Sequence, residues 1–440
     1  MRIHLIGIGG IGVSALAQYY LSKGHEVSGS DLVASEITDF LRKKGIKIFI
    51  GNFAKNISKD FDLIVHSPAV KANNPEYKRA RQFKIKTQSY PEALGELTKE
   101  YFTIAIAGAH GKSTTTAMIA LVLIKAGLDP TVIVGTKLTE FSGPALSNAE
   151  GNNFRKGDSK MLVIEACEYD SSFLSYQPKI IVTTNVDKEH LDYFKNFANV
   201  VKAFRNFSLK LPSDGFWVFN QDDDGISKIE IEAPKFKVQG YSLSQPERSK
   251  IKKIMKVPGK HNVSNALAAL QVARILSIPD SITFQALSEF NGTWRRFEIK
   301  RGKAGNKLIT VVSDYAHHPS EILATLTAAR EKYKKKTIWC VFQPHQYQRT
   351  YYLFNDFVKT FREVPIDRII ITDIYDVAGR ETKTIKRGVS SKKLVEKINK
   401  KSVFYMPLCD IEKFVKENIG SGDVLIIMGA GDIYKLVDKF

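Results

Sequence analysis

The chain has 440 residues, 43% of them hydrophobic and 10% aromatic, with a formal net charge of +19 from 65 basic and 46 acidic side chains. That length exceeds a single core and calls for roughly two to four domains, three being the working count, and the composition excludes a disordered polypeptide. Three widely spaced cysteines, Cys167, Cys340 and Cys409, exclude a disulfide framework and a CxxC zinc site and suit a reducing cytoplasm.

The opening "MRIHLIGIGGIGVSALA" is apolar, but glycines interrupt it and one cation precedes it. It reads as a strand entering a turn rather than a signal peptide. No uncharged run of about 18 residues is found, so a soluble protein without membrane insertion is expected. The lysines lie in scattered clusters such as "LRKKGIK", "EKYKKKT" and "EKINKKS". These are element ends where solvated charge belongs, and no basic stripe is interleaved with aromatics, so no nucleic-acid partner is expected.

Residues 1–98 form the first section. "RIHLIGIGGIGVSALAQYYLSKGHEVSGSD" predicts a strand, a glycine turn, a helix and a second strand, which is a βαβ unit. Gly7, Gly9 and Gly12 match GxGxxG, a pattern that lets backbone approach a diphosphate at a helix N-terminus or simply packs strand against helix tightly. Asp31, 19 residues after Gly12, is placed to accept from a ribose hydroxyl. "DLIVHSPAV" adds a strand ending at His66 and Ser67.

Residues 99–292 form the second. "YFTIAIAG" is a buried strand, "AHGKST" a loop and "TTTAMIALVLIKAG" a helix closed by Gly127, the context a P-loop requires. The spacing departs from the standard loop, which would have glycine where Ile106 stands. Backbone amides of Gly108, Ala109, His110, Gly111, Lys112, Ser113 and Thr114 can surround phosphates, with Lys112 neutralising them and the Ser113 hydroxyl on Mg2+. Further strands end at Glu165 and Glu168 ("MLVIEACEYD") and before Asn185, Asp187, Glu189 and His190 ("KIIVTTNVDKEHLDYF"). Strand carboxyl ends form the ligand crevice of an open parallel sheet, so Glu165 is a candidate Mg2+ ligand. His190 reads equally as a ligand or as a helix-start histidine bonded to a carboxylate.

Residues 293–440, from "GTWRRFEIKRG" onward, alternate strands ("LITVVSDYA", "KKTIWCVFQP", "RIIITDIY", "DVLIIMGAG") with helices ("SEILATLTAAREKY", "DIEKFVKENI"), a doubly wound α/β domain. Asp314, His317 and His318 follow the first strand, His345 and Arg349 the second. No carboxylate or cysteine stands at metal-ligand spacing with these histidines, so zinc is not expected.

In order and spacing these motifs resemble the Mur ligase family over essentially the whole chain: "GIGGIGVSALA", "VSGSD", the GxxGK[ST][ST] loop in "GAHGKST", "EACEYDSSFL", "TNVDKEHLDYF", "GKHNVSNALAAL", "WRRFE", "DYAHHPSEI" and "FQPHQYQRT". The resemblance implies three α/β domains: a Rossmann-like UDP-sugar domain, a central P-loop-type ATP domain and a C-terminal ligase domain. It implies an ATP-dependent amide ligase of peptidoglycan precursor synthesis, cytoplasmic, monomeric or weakly dimeric, joining L-alanine to UDP-N-acetylmuramate through an acyl phosphate. It also assigns residues. Gly9, Gly10, Ile11, Gly12, Asp31, His66 and Ser67 serve the UDP-sugar; Lys112, Glu165 and His190 serve catalysis; Ser113, Glu165 and His190 hold Mg2+. His261, Asn262 and Asn265 lie near the adenine end of ATP, although Asn262 also suits a helix cap. Arg295 or Arg296, with Asp314, reaches ATP from the third domain, and His345 and Arg349 recognise the amino acid. Gln346 stands where many relatives carry arginine, which widens the expected acceptors to glycine or serine beside alanine. Arg205 stands 15 residues past His190, where sister ligases have a carbamoylated lysine, so no carbamate is expected.

Two alternatives remain. A ligase that attaches a preformed tripeptide to the same sugar nucleotide shares this plan, but its glycine motif and third-domain pocket differ from "GIGGIGVSA" and "FQPHQYQRT". A basic P-loop ATPase that binds nucleic acid leaves the glycine turn and "DYAHHP" without a task.

Overall fold

A computed structural model describes residues 1–141, 151–376 and 383–440. Its contacts divide the chain into two compact units. One comprises Met1–Glu189, Asn196–Ile251 and Ser264–Ser288; the other comprises His190–Lys195, Lys252–Val263 and Glu289–Phe440. Among the described residues there are three sheets, two in the first unit and one in the second.

The first sheet is all parallel, in the order Lys47–Ile50, Glu26–Asp31, Arg2–Ile6, Leu63–His66, Lys86–Ser89. Its central strand is buried throughout Ile3, Leu5 and Ile6, as a parallel strand covered on both faces must be. The chain reverses its direction of winding between Arg2–Ile6 and Leu63–His66, and that switch point opens the crevice where such sheets bind ligands. Helix Tyr90–Glu100 follows the sheet, starting from a capping box in which Ser89 and Glu92 exchange bonds. The expected 98/99 division falls inside this helix, and Tyr101 alone separates it from the first strand of the next sheet.

That second sheet runs Lys237–Tyr241, Phe216–Asn220, Ile180–Thr183, Phe102–Ala107, Met161–Glu165, Thr131–Leu138, Asn152–Arg155. All neighbours are parallel except the last pair. Phe102–Ala107 lies between strands on either side, so the loop that leaves it emerges at a second switch point.

The third sheet has the order Glu298–Ala304, Lys307–Asp314, Val424–Met428, Ile338–Phe342, Arg368–Ile371, Val403–Tyr405. Both faces are covered by apolar clusters, around Phe342 and Phe357 on one side and Trp339 and Ile427 on the other. The hairpin strand Glu298–Ala304 was not expected from the sequence, because "EIKRGKA" has the charged pattern of a protected edge. Among the described residues no helix is long and apolar enough to cross a membrane.

Candidate functional site

In the first sheet, the turn after Arg2–Ile6 is built around backbone that only glycine tolerates. Gly7 has φ +80 and donates to the Ser30 carbonyl at 2.8 Å, and a Cβ there would meet the Ser67 Cβ at 2.9 Å. Helix Ile11–Ser22 starts at Gly10 with no side-chain cap and no acidic residue in its first turn, leaving its amides and positive dipole end for an anion. Asp31 accepts from the Gly9 amide at 2.8 Å, so one carboxylate oxygen braces the turn. His66 is half-buried, its Nδ1 3.2 Å from the Ser67 carbonyl oxygen and its ring against Tyr77.

The second loop is similarly constrained. Gly108 has φ +142 and Gly111 φ +80; a Cβ on Gly108 would come 2.0 Å from Thr184 Oγ1, and one on Gly111 would come 2.8 Å from Asn265 Oδ1. Asn265 therefore sits over the phosphate loop itself. The loop is braced by the tail of strand Ile180–Thr183. The Ala109 amide donates to the Asn185 carbonyl, the His110 amide to Asn185 Oδ1 at 2.8 Å, and Asn185 Nδ2 and Thr184 Oγ1 donate back to the His110 carbonyl. His110 Nε2 lies 3.2 Å from Asp187. The first helical bond runs from Thr115 to Gly111, so the amides of Gly111, Lys112, Ser113 and Thr114 are those at the open end of helix Lys112–Lys125.

Lys112 turns back onto its own loop. Its Nζ donates to the Gly108 and Ala109 carbonyls and forms an ion pair with Glu168 at 3.0 Å. Burial works against that charge, but the Glu168 carboxylate outweighs it and holds the ammonium above its ordinary pKa. Glu165, at the end of the strand paired to the loop's own strand, points over Gly135, where a Cβ would come 2.5 Å from its Oε2. Among the described residues its Oε1 is sealed from solvent and accepts no hydrogen bond. A buried carboxylate oxygen without a donor is costly unless a cation takes it. Glu165 and the Ser113 hydroxyl, in the first turn of the helix, thus fit a hard divalent ion.

The second unit holds the remaining expected residues. Arg295 is buried, with φ 56, and its guanidinium donates to the Gly429 and Gly431 carbonyls among the rings of Trp294, Tyr315 and Tyr434. Its work is internal. Arg296 is half-buried, 3.4 Å from Glu321 and over Tyr315. Asp314 accepts from the Phe297 amide at 2.7 Å and the Ala316 amide at 2.8 Å, so it ties the "WRRF" segment to the "DYAHH" segment; burial pushes its carboxyl up. His261 packs under Gly259, and burial with the Arg296 cation lowers its pKa to about 4. Asn262 does not cap its helix by accepting; its Nδ2 donates to the Pro258 carbonyl at 2.6 Å. His190 precedes helix Leu191–Phe194 with φ 55. His345 stacks on Tyr375 and meets the edge of His317, while Arg349 Nη1 lies 3.2 Å from His345 Nδ1. Gln346 has φ 73, a strained value that aims this corner.

Sequence reasoning left three side chains without a role: Glu168, Asn185 and Tyr90. Each follows a strand's carboxyl end, which is the signal that marks them. Tyr90 lies across the first helix, its Cζ and hydroxyl 2.9 Å from a Cβ built on Gly12, and burial, with the Glu165 charge, raises its phenol above the ordinary pKa.

Family models match in chain order: "Mur ligase family, catalytic domain" over residues 2–102, "Mur ligase middle domain" over 106–273, and "Mur ligase, glutamate ligase domain" over 295–431. The chain is 40% identical to a UDP-N-acetylmuramate--L-alanine ligase of Acetivibrio thermocellus, covering 100% of this chain and 95% of that one. It is 41% identical to a protein of the same description from Caldanaerobacter subterraneus, covering 100% and 97%. The crystal structure of UDP-N-acetylmuramate-alanine ligase MurC from Thermotoga maritima superposes with a TM-score of 0.78 at 28% identity, covering 100% and 98%. A murein peptide ligase from Psychrobacter arcticus shares the fold, with a TM-score of 0.70 at 23% identity and coverage of 100% and 98%.

Proposed function

The chain belongs to the Mur ligase family, and from that premise we propose how its own residues carry out the reaction. The protein is an ATP-dependent ligase that joins L-alanine to the carboxylate of UDP-N-acetylmuramate for peptidoglycan synthesis. A carboxylate is a poor electrophile, so it is first phosphorylated. The muramoyl oxygen attacks the γ-phosphorus, ADP departs, and the amine of alanine then displaces phosphate from the acyl phosphate through a tetrahedral intermediate.

The amides of Ile11 and Gly12 at the open helix end take the diphosphate of the sugar nucleotide, while the Gly9 amide bonded to Asp31 and the Gly10 amide bonded to the Gly7 carbonyl hold the turn in shape, with His66 and Ser67 beside it. The amides of Gly111 to Thr114 take the ATP phosphates, under Asn265. Lys112 leaves the Gly108 and Ala109 carbonyls to follow the phosphoryl group, which is stabilisation of moving charge rather than covalent chemistry. A Mg2+ held by Ser113 and Glu165, with His190 at a second cation, would supply Lewis-acid charge to the phosphates. Arg296 rather than Arg295 is the arginine for ATP, since Arg295 is committed to the Gly429 and Gly431 carbonyls. Arg349 and His345 take the alanine carboxylate, the guanidinium as a bidentate fork.

One observation carries this reading: a solvent-sealed Glu165 oxygen without a donor ends the strand next to the one that launches the Lys112 loop. Phosphate release from ATP tests it, measured with UDP-N-acetylmuramate alone and with L-alanine, a tripeptide or single-stranded DNA added. Turnover is expected only with the sugar nucleotide and free alanine together. Hydrolysis driven by DNA without the sugar, or by tripeptide but not alanine, would reject it.

A further inference from the structure

Helix Ile11–Ser22 carries the glycine turn at its N-terminus, and strand Asn152–Arg155 is the edge of the central sheet. Both belong to the same compact unit, and a cluster of carboxamides joins them. Asn153 Nδ2 donates to the Ile11 carbonyl and, at 2.9 Å, to Ser14 Oγ. Gln18 Nε2 donates to Asn153 Oδ1 at 3.0 Å, and Asn152 Nδ2 donates to Gln18 Oε1 at 3.0 Å. Asn152 Oδ1 accepts the backbone amides of Asn153 and Phe154. All four side chains are buried, none more than 6% exposed, and every oxygen and nitrogen of the three carboxamides is engaged.

An apolar contact would hold two elements together but let them slide. A buried polar cluster in which every carboxamide oxygen and nitrogen is engaged does not, because any shift leaves an amide without a partner at about 1–3 kcal/mol each. The path continues by backbone pairing. Strand Asn152–Arg155 pairs with Thr131–Leu138, which pairs with Met161–Glu165, and Gly135 of the middle strand lies against the Glu165 carboxylate. From the Ile11 carbonyl to strand Met161–Glu165, side-chain hydrogen bonds and then strand pairing therefore link the two sites, and Gly135, within an irregular stretch of Thr131–Leu138, packs against the Glu165 carboxylate.

We infer that Gln18, Asn152 and Asn153 are positioning residues for phosphoryl transfer. They fix how far the helix that holds the sugar nucleotide stands from the ends of the interior strands Phe102–Ala107 and Met161–Glu165, where the metal and the ATP phosphates belong, so that the muramoyl carboxylate arrives in line. The inference rests on the ligase reading and assigns a role to residues outside both nucleotide loops. Reaction rate is steep in this distance, since a displacement of about 1 Å costs about 100-fold, whereas each nucleotide binds to its own loop and is indifferent to the other.

The test uses the full chain with Asn153→Ala and Gln18→Met. Dissociation constants for UDP-N-acetylmuramate and for ATP are measured separately by calorimetry, single-turnover ADP formation is measured at saturation of both without alanine, and the unfolding midpoint is recorded. Both nucleotides should bind within about twofold of wild type while ADP formation falls about 10- to 100-fold. A variant that is destabilised yet forms ADP at the wild-type rate when saturated, or that loses rate only in proportion to weaker nucleotide binding, overturns the positioning role. Gln18→Met keeps volume and leaves the Asn153–Ile11 bond in place, so it gives the reading if Asn153→Ala does not fold. The wild-type protein failing to form ADP would reject the ligase reading instead, because the variants are scored only as ratios to it.

Discussion

Lys112 and Glu168 form an ion pair at 3.0 Å, with Glu168 almost wholly buried at 1% exposure. The lysine meant for the ATP phosphates is therefore already paired with a buried carboxylate beside its own loop. We predict that Lys112→Ala abolishes ADP formation, leaves UDP-N-acetylmuramate binding intact, and removes one half of a buried ion pair, costing about 3–5 kcal/mol of stability. Adding Glu168→Ala should recover part of that loss, giving a coupling of about 1–3 kcal/mol in a double-mutant cycle by urea unfolding. Additive effects would mean the pair is incidental.

For Glu165, the expected lesion is in the metal requirement. Glu165→Gln keeps the shape but removes the charge, so half-maximal Mg2+ for ADP formation should rise about tenfold or more. UDP-sugar binding, measured by calorimetry without metal, should not move. An unchanged Mg2+ titration would place the cation elsewhere.

Gly12 and Tyr90 offer a test by rescue. A methyl on Gly12 would press into the Tyr90 ring at 2.9 Å, so Gly12→Ala should weaken UDP-N-acetylmuramate by about 10-fold or more as the helix start is displaced. Gly12→Ala with Tyr90→Ala relieves the overlap and should regain binding, while ATP affinity stays constant throughout. No regain in the double variant would show that the glycine is needed for its backbone alone.

The two adjacent arginines should separate by assay. Arg295→Ala removes the donor to the Gly429 and Gly431 carbonyls and is expected to lower unfolding stability by about 2–4 kcal/mol. Arg296→Ala should stay within about 1 kcal/mol of wild type and raise KM for ATP. The reverse pattern would exchange their roles.

His4 is fully buried in the first sheet, 2.9 Å from Ser28 Oγ, and burial lowers its pKa to about 4. The unfolded chain binds this proton near pH 6.5, the folded chain only near pH 4, so the unfolded state holds more protons between those values. Stability is complete above pH 6.5 and declines as pH falls through the window, by on the order of 3 kcal/mol from this residue. Glu76, 4.0 Å away with its own pKa raised by burial, acts in the opposite sense. His4→Gln should flatten the slope of urea stability between pH 7 and pH 5. An unaltered slope would assign the acid sensitivity to other groups.

Much of this was legible because the relevant signals are local. The turn at Gly7 to Gly12, the loop at Gly108 to Thr114 and the apolar strands Phe102–Ala107 and Ile338–Phe342 all announce themselves within a few residues. What was hidden depends on partners far away in sequence. Lys112 and Glu168 are 56 residues apart, and Gln18 and Asn153 are 135 apart, and no periodicity links either pair. Asn152 and Asn153 look like loop residues, since carboxamides favour turns, and only pairing with Thr131–Leu138 puts them in a sheet. Arg295 and Arg296 are neighbours, so residue type cannot tell them apart; only the folded chain, which buries Arg295 against the Gly429 and Gly431 carbonyls, does.

The carboxamide cluster at Gln18 also bears on how such chains can be recombined. Exchanging the first hundred residues with those of a relative would import a new helix face opposite Asn152 and Asn153. The hybrid would keep both nucleotide loops, yet lose their common frame of reference unless the matching amides travelled with them. Modular exchange in this architecture is therefore governed by a seam of three side chains rather than by the linker at Tyr101.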